Sequence, residues 1–250
     1  MAPHFQEAGF AALIYDNRNW GESEGEPRLE VDPYMQQQDY LDAFDYAASL
    51  PDVDGDRIAY WGSSFSGGNV IVAAAVDKRI KAAVVQCPFV SGDLAMAALT
   101  PMIPMLLAER AGIKGGLEPS VIPIYADSLE AAKAGSAQTI LNDADAYKYM
   151  EAVSVRGPER WENKLVAQSL LKMILNEPKA FIHRIAPTPF LMVVPDADVS
   201  VPTATQLAAF ELAGEPKTLH TFQGGHYDVY SGPVLEEDMK LQIEFLKKHL

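Results

Sequence analysis

Ile58-Ala-Tyr-Trp-Gly62-Ser-Ser64-Phe-Ser66-Gly67-Gly68 is the stretch that decides the fold. Residues 57–61 are suited to a buried strand, and residues 69–76 read as the body of a helix. A strand that turns tightly into a helix with a serine at the apex presents that hydroxyl at the strand's carboxyl end, as a nucleophile elbow. The bend needs minimal side chains two places before and after the serine. Gly62 meets the first requirement, and Ser66, small enough to fit, stands where glycine is usual. Counting from a strand end at Trp61 selects Ser64; a register shifted by two residues would select Ser66 and remains the alternative. With Ser64 at the apex, Phe65 supplies a backbone N–H to an oxyanion hole, at a helix N-terminus whose dipole favours developing negative charge.

Strands and helices alternate on either side. Upstream, Ala11-Ala-Leu-Ile-Tyr15 is a short apolar run read as a buried parallel strand, and Asp32-Pro33 opens a helix that runs to about Leu50. Downstream, residues 80–90, 190–194 and 217–222 read as strands, residues 202–212 as a helix, and residues 234–250 as a closing amphipathic helix. This order predicts an α/β fold, a parallel sheet with helices on both faces. The core is expected over residues 1–92 and 187–250, with residues 93–186 forming a mostly helical lid insertion over the carboxyl ends of the strands.

A serine needs a base, and after an elbow of this kind the partners follow in the order acid, then histidine. Asp198 follows the 190–194 strand in Pro195-Asp196-Ala-Asp198, and His226 follows the 217–222 strand in Gln223-Gly-Gly-His226. Asp196 is the competing acid, but it lies closer to the strand end and reads as a turn residue. Each piece alone is commonplace. Their order and their placement at strand ends together predict a triad of Ser64, His226 and Asp198. In the insertion, Tyr125 and Trp161 are substrate-pocket candidates, although aromatic residues there more often pack an internal core.

Composition narrows the partners. A formal net charge of −14 argues against nucleic acid or an anionic membrane surface. No apolar run approaches the roughly 20 residues that span a bilayer, and no signal peptide opens the chain, so the expected address is cytoplasmic. The single cysteine, Cys87, reads as a small buried thiol. No metal-ligand spacing and no nucleotide loop is present, so no cofactor and no metal are expected. Residues 156–184 hold six basic and three acidic residues, a run that could receive an acidic acyl-carrier domain but reads more simply as a solvated helical face.

Several stretches resemble the α/β-hydrolases of the fungal polyketide-transferase and thiohydrolase group, which are themselves similar to peptidase S15 hydrolases. They are Tyr15-Asp-Asn-Arg-Asn-Trp-Gly-Glu-Ser23, Gly25-Glu-Pro-Arg28, Trp61-Gly-Ser-Ser-Phe-Ser-Gly-Gly68, Trp161-Glu-Asn163, Ile185-Ala-Pro-Thr-Pro189, Gly214-Glu-Pro-Lys217 and Gly224-Gly-His226. The resemblance implies an α/β-hydrolase fold and acyl chemistry on a small-molecule ester or thioester such as a polyketide acyl group. It also implies N-terminal strands and a His-Gly oxyanion loop that this sequence lacks. That lack leaves a choice. Either the strands at 11–15 and 57–61 re-pair directly, or the chain is a truncated product; the alternative function is accordingly that of a catalytically impaired binding protein or of a truncated product. A proline-specific peptidase of S15 type ranks below both.

Overall fold

The computed structural model describes residues 1–135, 139–154 and 161–250. In chain order the regular elements begin with α1 (Ala2–Glu7), α2 (Pro33–Ser49), β1 (Ala59–Ser63), α3 (Phe65–Val76) and β2 (Ala82–Gln86). Next come α4 (Gly92–Ala95), α5 (Ile103–Lys114), β3 (Val121–Ile122), α6 (Leu129–Ala134), α7 (Ala144–Ser154), β4 (Leu165–Val166) and α8 (Ser169–Ile174). The chain ends with β5 (Phe190–Pro195), α9 (Thr203–Glu211), β6 (Lys217–Phe222) and α10 (Gly232–His249).

The chain divides into two units. The first comprises Met1–Tyr15, Tyr34–Ser91 and Glu177–Leu250. Its sheet has the order β1-β2-β5-β6, with every pair parallel. Because side chains alternate along a strand, each strand feeds two cores. Tyr60, Ala83, Val85, Phe190, Met192 and Val194 join residues of α3 and α9 on one face. Ala82, Val84, Leu191 and Val193 join Phe5 of α1 and Met239 and Leu246 of α10 on the other. Every residue of β2 and β5 is buried, as expected for central parallel strands covered on both faces.

Three expectations change. Residues 11–15 belong to no ladder; Leu13 and Ile14 are exposed. An apolar run forms a strand only where a neighbour offers backbone groups, and β1 instead ends the sheet order with β2 as its one partner among the described residues. The phenol of Tyr40 donates to the Trp61 carbonyl at 3.0 Å, satisfying one group of that edge. Second, the strand expected over residues 80–90 stops at Gln86, because Cys87 takes a φ of 46° and Pro88 follows. Third, the unit boundaries differ from those expected. Residues 177–186 belong to the first unit, where Ile182 and Ile185 are buried in the α3 core.

The second unit comprises Asp16–Pro33 and Gly92–Asn176. It holds α4 to α8 and an antiparallel β3–β4 pair that periodicity did not signal. Its 16–33 strap is fastened by hydrogen bonds from Val166 N–H to the Leu29 carbonyl (2.9 Å) and from Val31 N–H to Ser169 Oγ (2.8 Å). Lys172 Nζ completes the attachment, 2.9 Å from Glu30 and 2.7 Å from Asp32.

Asp238 on α10 is fully buried, and burial pushes its carboxyl up to about 7 from an ordinary 3.8. Unfolded chains ionise this group at lower pH than folded ones, so it favours folding fully below the unfolded value and loses that contribution as pH rises through about 7. Replacement by asparagine removes the slope. The stability of the wild type relative to Asp238→Asn should fall by up to about 4 kcal/mol between about pH 4 and 8, read by urea denaturation. A difference that stays constant across that range would refute the assignment.

Candidate active site

Ser64 follows β1 directly, Asp198 lies three residues past the end of β5, and His226 lies four past the end of β6. Parallel strands put all three loops at one end of the sheet. His226 Nε2 is 2.9 Å from Ser64 Oγ, and His226 Nδ1 is 2.8 Å from Asp198 Oδ2. The structure therefore brings Ser64, His226 and Asp198 into one hydrogen-bonded chain.

Each member is held from below. Ser64 has φ 55° and ψ −121°, an unfavourable backbone for a residue with a side chain, typically costing about 1–3 kcal/mol. The bend is held by Ser64 N–H donating to the Gln86 carbonyl (2.9 Å) and Phe89 N–H donating to the Ser64 carbonyl (2.9 Å). Gly62 is required by contact. A Cβ there would lie 2.5 Å from the Ser66 carbonyl oxygen and 2.8 Å from Val70. Ser64, and not the alternative nucleophile Ser66, meets the imidazole. Phe65 is the first residue of α3, so its N–H is among the donors that a helix leaves without an internal partner. Its ring packs on Phe89 at 5.1 Å.

Asp198 is 5% exposed and saturated with donors. Its Oδ1 accepts from Val201 N–H (2.8 Å), and its Oδ2 accepts from Gln206 Nε2 (2.8 Å) as well as facing the imidazole. Asp196, the competing acid, has another task. Its Oδ1 accepts Gly224 N–H at 2.9 Å, and Ala197 N–H donates to the Gly224 carbonyl at 3.0 Å, which ties the acid loop to the histidine loop. Gly224 needs its φ of 141°, and a Cβ there would meet Asp228 Oδ2 at 2.5 Å.

Cys87 is buried and lies with Asp198 and His226 in a group whose ligand atoms all fall within 4.8 Å. Burial raises its thiol well above the ordinary value, and both ring nitrogens of His226 already face Asp198 and Ser64. This donor set does not suit a metal.

The pocket candidates lie in the second unit. Tyr125 and Trp161 pack with ring centroids 6.3 Å apart, and the Tyr125 main chain is bonded in both directions by the Asn163 side chain. In the basic run, Lys164 pairs with Glu162, Lys172 with Glu30 and Asp32, and Lys179 with Glu177. Arg156 and Arg160 lie outside the described residues. No helix among the described residues is long and apolar enough to cross a membrane.

Sequence reading missed Gln206, the further donor to Asp198, and Gln86, whose polarity in an otherwise apolar strand was the available signal.

Comparison with known proteins agrees with this architecture. Residues 1–98 match the family model of X-Pro dipeptidyl-peptidases (S15 family). The chain is 33% identical to a thiohydrolase of Eupenicillium brefeldianum, over 99% of this chain and 80% of the relative. It is 34% identical to the polyketide transferase grgF of a Penicillium species, over 100% and 82%. The crystal structure of the α/β hydrolase GrgF from Penicillium sp. sh18 superposes with a TM-score of 0.85 at 33% identity, covering 99% of this chain and 83% of that one. Identity of 33–34% over nearly the full chain, with a superposing parallel sheet, places it: the chain belongs to the α/β-hydrolase family of thiohydrolases and polyketide transferases.

Proposed function

We propose that this chain is a serine acyl-transfer enzyme acting on a small-molecule ester or thioester through an acyl-enzyme. Ser64 Oγ attacks the carbonyl, and His226 Nε2 takes its proton and returns it to the departing alcohol or thiol. Asp198 holds the imidazole with its proton on Nδ1 and stabilises the cation that forms. The Phe65 N–H faces the developing oxyanion. The observation that carries the reading is the single imidazole bonded to a hydroxyl at 2.9 Å and a buried carboxylate at 2.8 Å.

The likeness to a thiohydrolase and a polyketide transferase supports a thioester or polyketide-like acyl donor, with water or an alcohol as acceptor. A carrier domain as donor has less support, because Lys164, Lys172 and Lys179 already have carboxylate partners within the chain. Intact-protein mass spectrometry after exposure to a short acyl thioester should show one acyl adduct, mapping to the peptide that contains Ser64. An adduct on another residue, or turnover without any adduct that Ser64 controls, would overturn the proposal. The match of residues 1–98 to S15 peptidases favours one second reading, cleavage after proline, which a proline-linked chromogenic amide tests directly.

A further inference from the structure

Behind Ser64 and His226 lies a second hydrogen-bonded connection that the reaction itself does not use. Ser63, the last residue of β1, has its Oγ 2.5 Å from the hydroxyl of Tyr230. Tyr230 ends the short 3-10 turn Asp228–Tyr230, four residues beyond His226. The residue before the nucleophile is thus bonded directly to the turn that follows the base.

The bonds that lead up to this connection have directions set by donor chemistry. The Trp61 indole N–H has no acceptor capacity, so its 2.6 Å bond makes Gln242 Oε1 the acceptor. Gln242 Nε2 must then donate, to Asp238 Oδ2 at 2.6 Å and to Gln86 Oε1 at 2.9 Å. Gln86 Nε2 in turn donates to Ser63 Oγ at 3.0 Å. Ser63 Oγ therefore accepts from Gln86 while sharing one proton with Tyr230. Gln86 grips the bend twice, since its carbonyl also receives the Ser64 N–H. Gln86 and Gln242 are fully buried, and Ser63 is part-buried. Water therefore has little access to the glutamine end of this chain of bonds, whereas Ser63 and Tyr230 are both part-buried.

We propose that Ser63 and Tyr230 are positioning residues, a tether that sets the reach between the Ser64 turn and the His226 turn, with Gln86 supporting it from beneath by donating to Ser63. This rests on the reading of Ser64 and His226 as nucleophile and base. A backbone as strained as that of Ser64 persists only where its surroundings over-determine it. Misplacing reacting groups by about 1 Å can cost on the order of 100-fold in rate, so a loosened tether acts on turnover and not on substrate affinity.

The test compares Tyr230→Phe, Ser63→Ala and their combination with Ser64→Ala, using a short acyl thioester and a fluorophosphonate probe. Tyr230→Phe should lower kcat and the labelling rate by about 10-fold or more while KM stays within about 2-fold. The double variant should be no slower than Ser63→Ala alone, because both remove the same bond. Should Tyr230→Phe fail to fold, Ser63→Ala carries the same split between kcat and KM. Wild-type kcat and labelling in Tyr230→Phe, beside an inactive Ser64→Ala, overturns the tether and leaves the nucleophile assignment standing. Equal falls in the two single variants that add in the double also overturn it. Full activity in Ser64→Ala overturns both.

Discussion

Replacing Ser64 by alanine should lower turnover of an ester or thioester by about 10⁵ to 10⁶-fold and abolish labelling by a fluorophosphonate. The size of the effect follows from the division of labour. In the proposed mechanism His226 and Asp198 work only through the serine hydroxyl, so removing the hydroxyl idles all three at once. What remains is binding and the Phe65 N–H, which act without a nucleophile. Alanine keeps a Cβ and inherits the same φ of 55°, so the strain at the bend is unchanged. Thermal unfolding should stay within a few degrees of wild type, which separates lost chemistry from lost fold. Steady-state rates beside a melting curve decide the matter, and turnover within about 10-fold of wild type in a folded Ser64→Ala would end the assignment.

Asp198→Asn should reduce kcat by about 10⁴-fold with a much smaller change in KM. The cause is specific to the donors around this carboxylate. Oδ2 faces His226 Nδ1 and Gln206 Nε2 together, while Oδ1 receives Val201 N–H. An asparagine has one acceptor oxygen for three donors. With that oxygen on Val201, its NH₂ confronts Gln206 and forces the imidazole proton onto Nε2. There it points at Ser64 and cannot receive the serine proton. Gln206 is fully buried, so its lost partner should also cost about 1–3 kcal/mol of stability. Measured kcat, KM and urea denaturation of the variant give all three quantities. An Asp198→Asn enzyme with near-normal kcat would show that the acid is another residue.

The parts of the fold that were legible in the sequence are those whose cause is local. The β1-to-α3 turn announces itself through Gly62 and the serines, and strands β5 and β6 through short apolar or alternating runs closed by turn residues. The turn at Ser64 and the ends of those two strands, followed by Asp198 and His226, gave the candidate site its three positions. Residues 11–15 look the same in composition, yet make no ladder, because a strand depends on a neighbour that composition does not record. The β3–β4 pair has only two residues in each strand, too few to leave a period. The polar residues beneath the site were hidden differently. Gln86, Gln206, Asp238 and Gln242 sit at positions that periodicity assigns to the apolar interior; the structure bonds Gln242 to Gln86 and Asp238, and Gln206 to Asp198 and the Val201 carbonyl. Tyr230 offered no signal at all, since its partner lies 167 positions away in the chain.

Ser64, Phe65, Asp198, Gln206 and His226, with every hydrogen-bond partner named for them, come from the first unit. Insertions, exchanges or drift within residues 92–176 therefore leave the reacting geometry with all of its own supports. One stretch of the gene can therefore change while every hydrogen bond named for these five residues keeps both of its partners.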